Sequence, residues 1–410
     1  MPDYKIRDKC SVNTNYDADT FVGIKSDSDG ISVHFPLGFR ISDDDKILRK
    51  DILTLMSTIA NTTARKDSET IEEAKQYNTT SFPLQDYLYV IYDYFSRGYY
   101  KEMEVIYTSG KQGKVNWGKT IKTKKPYVQD NNIFYLDLVV KKNSIKENEL
   151  ITLIHEYFVY ESFDKIGWLF TALKPSQPRI KYNEKLFRGV LTDKIMHTFN
   201  DRNKKLFRSM LSIIDYQGDN EAPSKYRYGT YRFEYVWEAM IDKVFGITGK
   251  ESYFPKTSWR IGDRKYDNAC LEPDTIMICN GNVYVLDAKY YKYGYSHYVG
   301  DLPESTSINK QITYGEYIAE NEKFKRIHGS NMTVYNAFIL PYDSQNPIWK
   351  SQENMYVVGE AVSNWKDNLR EYHRIQGIMI DTKHLMSIAV KQDMKEIEKL
   401  AALIEKAVER

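Results

Sequence analysis

Long apolar runs are absent. Nowhere in the 410 residues do about 18 apolar residues follow one another, the length a helix needs to cross a bilayer, so no membrane span is expected. The opening stretch, MPDYKIRDKC, lacks the apolar core of a secretory leader. Cysteine is scarce: Cys10, Cys270 and Cys279 are odd in number and far apart. Such usage fits reduced thiols in a cytoplasm and argues against a disulfide framework. No CxxC or HxxxH spacing occurs, so a structural zinc site is not expected. Neither sign of charge prevails, with 58 Lys and Arg against 56 Asp and Glu. A net charge of +2 neither demands nor excludes nucleic acid; the local distribution decides.

What is present is enough to fold. Hydrophobic residues make up 42% of the chain, and 410 residues exceed what one core usually holds, so two domains are expected. The two prolines of KPSQPRI mark a linker near residues 174–180. We therefore divide the chain into a mixed α+β N-terminal domain, 1–178, for DNA recognition or partner docking, and a C-terminal α/β domain, 179–410. Residues 1 to about 45 read as irregular. Helical spacing appears in KILRKDILTLMSTIANTTARK, FPLQDYLYVIYDYFSRG and ENELITLIHEYFVYESFDKIGWLF. A strand is expected in YYKEMEVIYTSG and another around Ile133–Val140. The second half reads helix (YRFEYVWEAMIDKVFG), hairpin, helix (INKQITYGEYIAENEKF), two strands and a charged C-terminal helix. That is a mixed α/β order.

The hairpin lies in EPDTIMICNGNVYVLDAKYY, residues 272–291. Asn-Gly between apolar runs is a strong hairpin signal, because a type I′ turn needs positive φ at both central residues. A turn at Asn280-Gly281 sets Cys279 opposite Asn282 and, counted along both arms, Asp274 opposite Asp287. A three-residue loop or a bulge would shift this register. Facing side chains have Cβ atoms roughly 4.5–5.5 Å apart, and two carboxylates so placed repel. The repulsion is relieved if one takes a proton or a cation sits between them. Mg²⁺ suits such oxygen ligands, with Mn²⁺ as a substitute. Lys289 lies two residues past Asp287 and projects from the same face, whereas Ala288 faces the opposite side. Two acids, a metal and an ammonium aimed at one point suit phosphodiester hydrolysis. Each feature alone would more often be a solvated rim; their cross-strand coincidence carries the reading.

A third carboxylate comes from the helix upstream, where Glu234 and Glu238 lie four apart on one face. Either can point at the metal. Downstream, Lys310 and Gln311 sit on the helix after the hairpin, in reach of a phosphate or the attacking water. An exposed helix start is the equal alternative.

The set Glu238, Pro273-Asp274, Asp287-Ala288-Lys289 and Lys310-Gln311 resembles the PD-(D/E)xK nuclease superfamily. Together GKVNWGKTI, FEYVWEAM, EPDTI, VLDAKYY and INKQITYGEY are similar to the LlaJI family of restriction endonucleases. They are similar, more distantly, to the nuclease subunit of McrBC-type systems. The similarity runs over about residues 85–345. It implies that Glu238, Asp274 and Asp287 hold Mg²⁺ and that Lys289 completes the catalytic set. It also implies cleavage of double-stranded DNA in bacterial defence, in the cytoplasm, often with a separate GTP-hydrolysing AAA+ partner. Cutting both strands needs two sites or sequential nicks, so a homodimer or larger assembly is expected. The rivals are a non-catalytic DNA-binding or assembly subunit of a restriction complex, and a nuclease of another nucleic-acid target.

In the N-terminal half, KQGKVNWGKTIKTKKP gathers Lys111, Lys114, Lys119, Lys122, Lys124 and Lys125 around Trp117. Lys114 and Lys119 would meet phosphates, and Asn116 and Thr120 bases or phosphates. A partner-docking surface is the alternative, and Trp117 itself reads as a core anchor. His155, with no second histidine nearby, reads as a packed or surface residue.

Overall fold

The computed structural model describes residues 5–14, 20–27, 30–63, 82–129, 132–146, 149–171, 174–219, 226–268, 270–349, 353–366 and 369–410. Two compact units emerge. One joins residues 1–82 to residues 224–410; the other is residues 83–223. A division at 178/179 therefore falls inside the second unit. The segment KPSQPRI is a loop between helices Leu150–Ile166 and Glu184–His197, whose Phe158 and Phe187 rings pack 5.9 Å apart. Proline signalled a break in the backbone, but the aromatic contact across it keeps both sides in one core.

The second unit holds helices Leu84–Arg97, Leu150–Ile166, Glu184–His197 and Asp201–Asp219. Its three-stranded sheet has the order Glu102–Ser109, Val139–Lys146, Lys114–Val115. The strand expected at Ile133–Val140 is divided between this sheet and a ribbon formed by Tyr127–Gln129 and Asn132–Phe134. A fully buried carboxylate, Asp93, is held by Arg97 and Arg202, each at 2.8 Å. Such pairing is what a buried charge requires. His155 is buried, as a packed residue should be. Its Nδ1 accepts the Tyr100 N–H at 2.8 Å, and burial pushes its imidazolium down to about 4.

In the first unit the N-terminal residues are not irregular. Cys10–Val12, Val22–Asp27 and Gly30–Phe35 are strands, and the fourth strand of their sheet, beside Val22–Asp27, is Tyr226–Thr230. Each is short and polar on one side, and one partner lies some two hundred residues away, beyond the reach of any sequence window. The helix Asp45–Thr63 follows.

The main sheet has five strands in the order Thr275–Cys279, Asn282–Ala288, Val334–Tyr342, Ile375–Asp381, Met355–Ala361. The two inner pairings are parallel and the two outer ones antiparallel, so the sheet is mixed, flanked by helices. On one face Ile276, Val283 and Val285 pack with Tyr314 and Ile318 of the helix Ser305–Glu320. Helices Phe233–Phe245 and Met394–Val408 lie on the other, where Tyr284 Oη donates to Glu405 at 2.6 Å. Val283, Val285 and Leu286 have no exposed surface. Burying each such side chain contributes about 1.5–3 kcal/mol, more than an exposed ion pair. Apolar burial therefore fixes where the strand runs, and the polar residues at its end are carried to their positions by it.

Candidate active site

Asn280 and Gly281 have φ of 51° and 81°, the double positive φ of a type I′ turn. Pairing runs from Cys279 with Asn282 to Thr275 with Leu286. The same register, continued by one residue, sets Asp274 opposite Asp287. The Asp274 carboxylate crosses to the other arm, where Oδ2 accepts the Ala288 N–H at 2.8 Å. Asp287 is 6% exposed, and its Oδ2 lies 2.6 Å from Lys289 Nζ. The Lys289 N–H donates to the Ile339 carbonyl at 2.9 Å, which extends the parallel pairing and fixes the lysine at the strand end. The Lys289 ammonium also lies 5.9 Å from the centre of the Phe338 ring.

The electrostatics follow. Burial, then the charge of Asp287 and its hydrogen bond to Asp274, then the charge of Glu238, push the Asp274 carboxyl up to about 8. The Ala288 N–H works against them. Burial acts to lower Lys289, but Asp287 and Asp274 prevail and hold it above the usual lysine value. With no cation present, a proton on Asp274 relieves the repulsion between the facing acids at neutral pH.

The two helix glutamates divide. Glu234 forms an ion pair with Arg232, whose guanidinium lies 4.7 Å from the centre of the Tyr235 ring. Glu238 is the one whose charge reaches Asp274. Both line a cavity of about 460 Å³ together with Ala288, Lys289 and Tyr291. Among the described residues, no three His, Cys, Asp or Glu side chains stand gathered as a metal-binding cluster. Two close carboxylates still suit Mg²⁺, which is commonly held by one or two of them plus water and phosphate. Asp274 and Asp287 are the oxygen donors that would fit such an ion, and Glu238 reaches Asp274 through its charge.

Gln311 is not displayed toward a substrate. It is 1% exposed, its Nε2 donates to the Val285 carbonyl at 2.7 Å, and its backbone carbonyl accepts from Asn336 Nδ2 at 3.0 Å. It ties the covering helix to the sheet below the site. Lys310 is exposed and close to the acids. Burial acts to lower it, while Tyr314 and then Asp287 and Asp274 hold it above the usual value. Two residues escaped the sequence reading. Tyr314 Oη donates to the Glu272 carbonyl at 3.1 Å, and Lys250 Nζ donates to the Asp274 carbonyl and, at 2.8 Å, to Asp242. Tyr314 lies one helical turn beyond Lys310, the single signal for it; nothing near Lys250 pointed to this site.

The basic segment of the other unit departs from expectation. Trp117 is 57% exposed and anchors no core. Thr120 is the buried residue: its Oγ1 donates to the Asn116 carbonyl and accepts the Val139 N–H, which removes it from any DNA-facing set. Asn116 caps the helix Trp117–Thr123 by accepting the Lys119 N–H at 2.9 Å. Lys114 and Lys119 are exposed, the latter with its ammonium 3.4 Å from the centre of the Tyr107 ring. Ile121, Tyr127, Val128, Ile133 and Phe134 are exposed as well.

Fold and site define a mixed α/β protein with an acid, acid, lysine constellation at the end of a sheet hairpin. The model of the LlaJI restriction endonuclease family matches residues 21–358, and the chain belongs to that family. The type II restriction enzyme BsuMI component YdjA of Bacillus subtilis (strain 168) is 25% identical over 273 residues, which is 62% of this chain and 57% of that protein. The chain thus spans less than two thirds of that relative's length. Among solved structures, a half-complex from the tetradecameric assembly of Thermococcus gammatolerans McrB AAA+ hexamers with bound McrC matches with a TM-score of 0.33 and 13% identity. That match covers 88% of this chain and 77% of the other. No helix among the described residues is long and apolar enough to cross a membrane.

Proposed function

We propose that the chain is the nuclease of a restriction system, a PD-(D/E)xK enzyme that hydrolyses phosphodiester bonds of double-stranded DNA with Mg²⁺. The observation that carries this reading is the convergence of Asp274, Asp287 and Lys289 at the end of one hairpin. Membership of the family supports it. Asp274 and Asp287 would hold the ion, with Glu238 as the third carboxylate. A bound divalent ion supplies charge stabilisation at the phosphoryl oxygens and a more acidic water. The chain supplies the rest. The Ala288 N–H orients Asp274, and Asp287 holds the Lys289 ammonium where it can bond a phosphate oxygen or the attacking water. Lys310, on the covering helix, adds a second cation beside the acids. The name of the Bacillus subtilis relative describes it as a component of its enzyme, which supports a further subunit here. We assign that role to a separate AAA+ GTPase, with the exposed apolar and basic segment 114–134 as the docking surface.

The test is plasmid cleavage with Mg²⁺ or Mn²⁺, with and without the candidate GTPase. Asp287→Ala and Lys289→Ala should each lower cutting by about 10²–10³-fold or more while circular dichroism stays unchanged. Undiminished cutting by folded Asp287→Ala removes the site; no cutting by the wild type under any condition favours a non-catalytic subunit.

A further inference from the structure

Strands Ser258–Ile261 and Arg264–Asp267 form an isolated two-stranded ribbon, joined by a turn at Gly262 (φ 59°) and Asp263. All eight strand residues are exposed. A lone two-stranded ribbon is marginally stable in water, and exposed aromatics on it gain nothing from the fold. Trp259 is 66% exposed, Ile261 65% and Tyr266 49%. Pairing sets Trp259 opposite Tyr266 and Ile261 opposite Arg264, so these four share one face. On the other face Arg260 stands directly opposite Lys265. Like charges in a cross-strand pair repel. Lys265 has Asp267 at 2.7 Å, but Arg260 and Arg264 make no ion pair among the described residues. The base of the ribbon is fastened: the Asn268 N–H donates to the Thr257 carbonyl and the Leu271 N–H to the Pro255 carbonyl. From there the chain runs through Glu272 and Pro273 to Asp274. The ribbon is thus pinned to the arm that delivers the first acid of the candidate site.

We infer that this ribbon enters a groove of duplex DNA beside the scissile phosphate. Trp259, Ile261 and Tyr266 lie against base edges and sugars, and Arg260, Arg264 and Lys265 contact backbone phosphates. The major groove admits a two-stranded ribbon, and lysine and arginine beside phosphates displace condensed counterions. The inference rests on the nuclease reading for the identity of its polyanion, and it is tested apart from cutting. Full-length Asp287→Asn is titrated against a fluorescently labelled duplex of about 30 base pairs over a range of salt, and compared with the same protein carrying Arg260→Ala and Lys265→Ala, or Trp259→Ala. The charge variant should bind about tenfold or more weakly at ~0.1 M salt, with the slope of log K against log salt reduced by about 1–2. Trp259→Ala should weaken binding with the slope unchanged. Thermal midpoints should not fall, since the residues are exposed and the paired cations repel. Equal affinity and slope in all three proteins overturns the inference even if the wild type cuts DNA. Unchanged DNA affinity with lost co-elution of a partner subunit overturns it in favour of protein docking. Weakened DNA binding by the ribbon variants upholds it even if the wild type fails to cut.

Discussion

At the scale of single residues, the site is a competition between two acids for one proton or one cation. The carboxyl of Asp274 is held far above its ordinary range, so the folded chain binds that proton more tightly than the unfolded chain does. Its stabilising effect is complete below the unfolded carboxyl value of about 4 and is lost as pH rises toward about 8. In chelator, the urea midpoint of the wild type should fall across that window, and that of Asp274→Asn should fall less. Added Mg²⁺ should flatten the wild-type profile. An identical pH profile for both proteins would show that the acids do not confront one another. Gln311 makes the opposite kind of prediction. Because its amide nitrogen bonds the Val285 carbonyl inside the core, Gln311→Ala should destabilise the fold by about 1–3 kcal/mol in denaturant titration. A variant that loses cutting with no loss of stability would return Gln311 to the substrate side.

At the scale of elements, the hairpin was legible because its information is local. Asn-Gly fixes the turn, the turn fixes the register, and the register puts Asp274 across from Asp287. Gly281→Ala places a Cβ on a residue with φ of 81° and should cost about 1 kcal/mol in thermal or denaturant unfolding. Unchanged stability would mean that the turn relaxes readily. The helices carrying Glu238 and Lys310 were legible for the same reason, since periodicity repeats within one segment. What was not legible is non-local. Trp117 and Thr120 exchange their expected places because the short helix Trp117–Thr123 turns its threonine, not its tryptophan, onto Val139. The strands Cys10–Val12 and Val22–Asp27 carry few apolar residues to announce them, whereas Gly30–Phe35 alternates Ile31, Val33 and Phe35, a period-two signal the sequence reading passed over. The ribbon Ser258–Asp267 has no apolar alternation that feeds a core, and so gave no signal.

At the scale of the whole molecule, one compact unit is built from two stretches of chain that flank the other. The Phe82 and Tyr226 rings stack 4.1 Å apart where those stretches meet. Replacing residues 83–223 by a short glycine-serine linker should therefore leave a protein with a single cooperative unfolding transition and a native circular dichroism spectrum. Loss of cooperativity would show that the flanking stretches need the inserted unit in order to close.

The split also orders events on the ribosome. Val22–Asp27 emerges early, but its neighbour Tyr226–Thr230 is translated some two hundred residues later, and the sheet strand Ile375–Asp381 later still. Until Tyr226–Thr230 is made, Val22 and Ile24 have no complete sheet to join. A nascent chain truncated before residue 375 would carry both aspartates and the lysine yet lack the inner strand that joins Val334–Tyr342 to Met355–Ala361. The sheet beneath the site is complete only once nearly the entire polypeptide has been made.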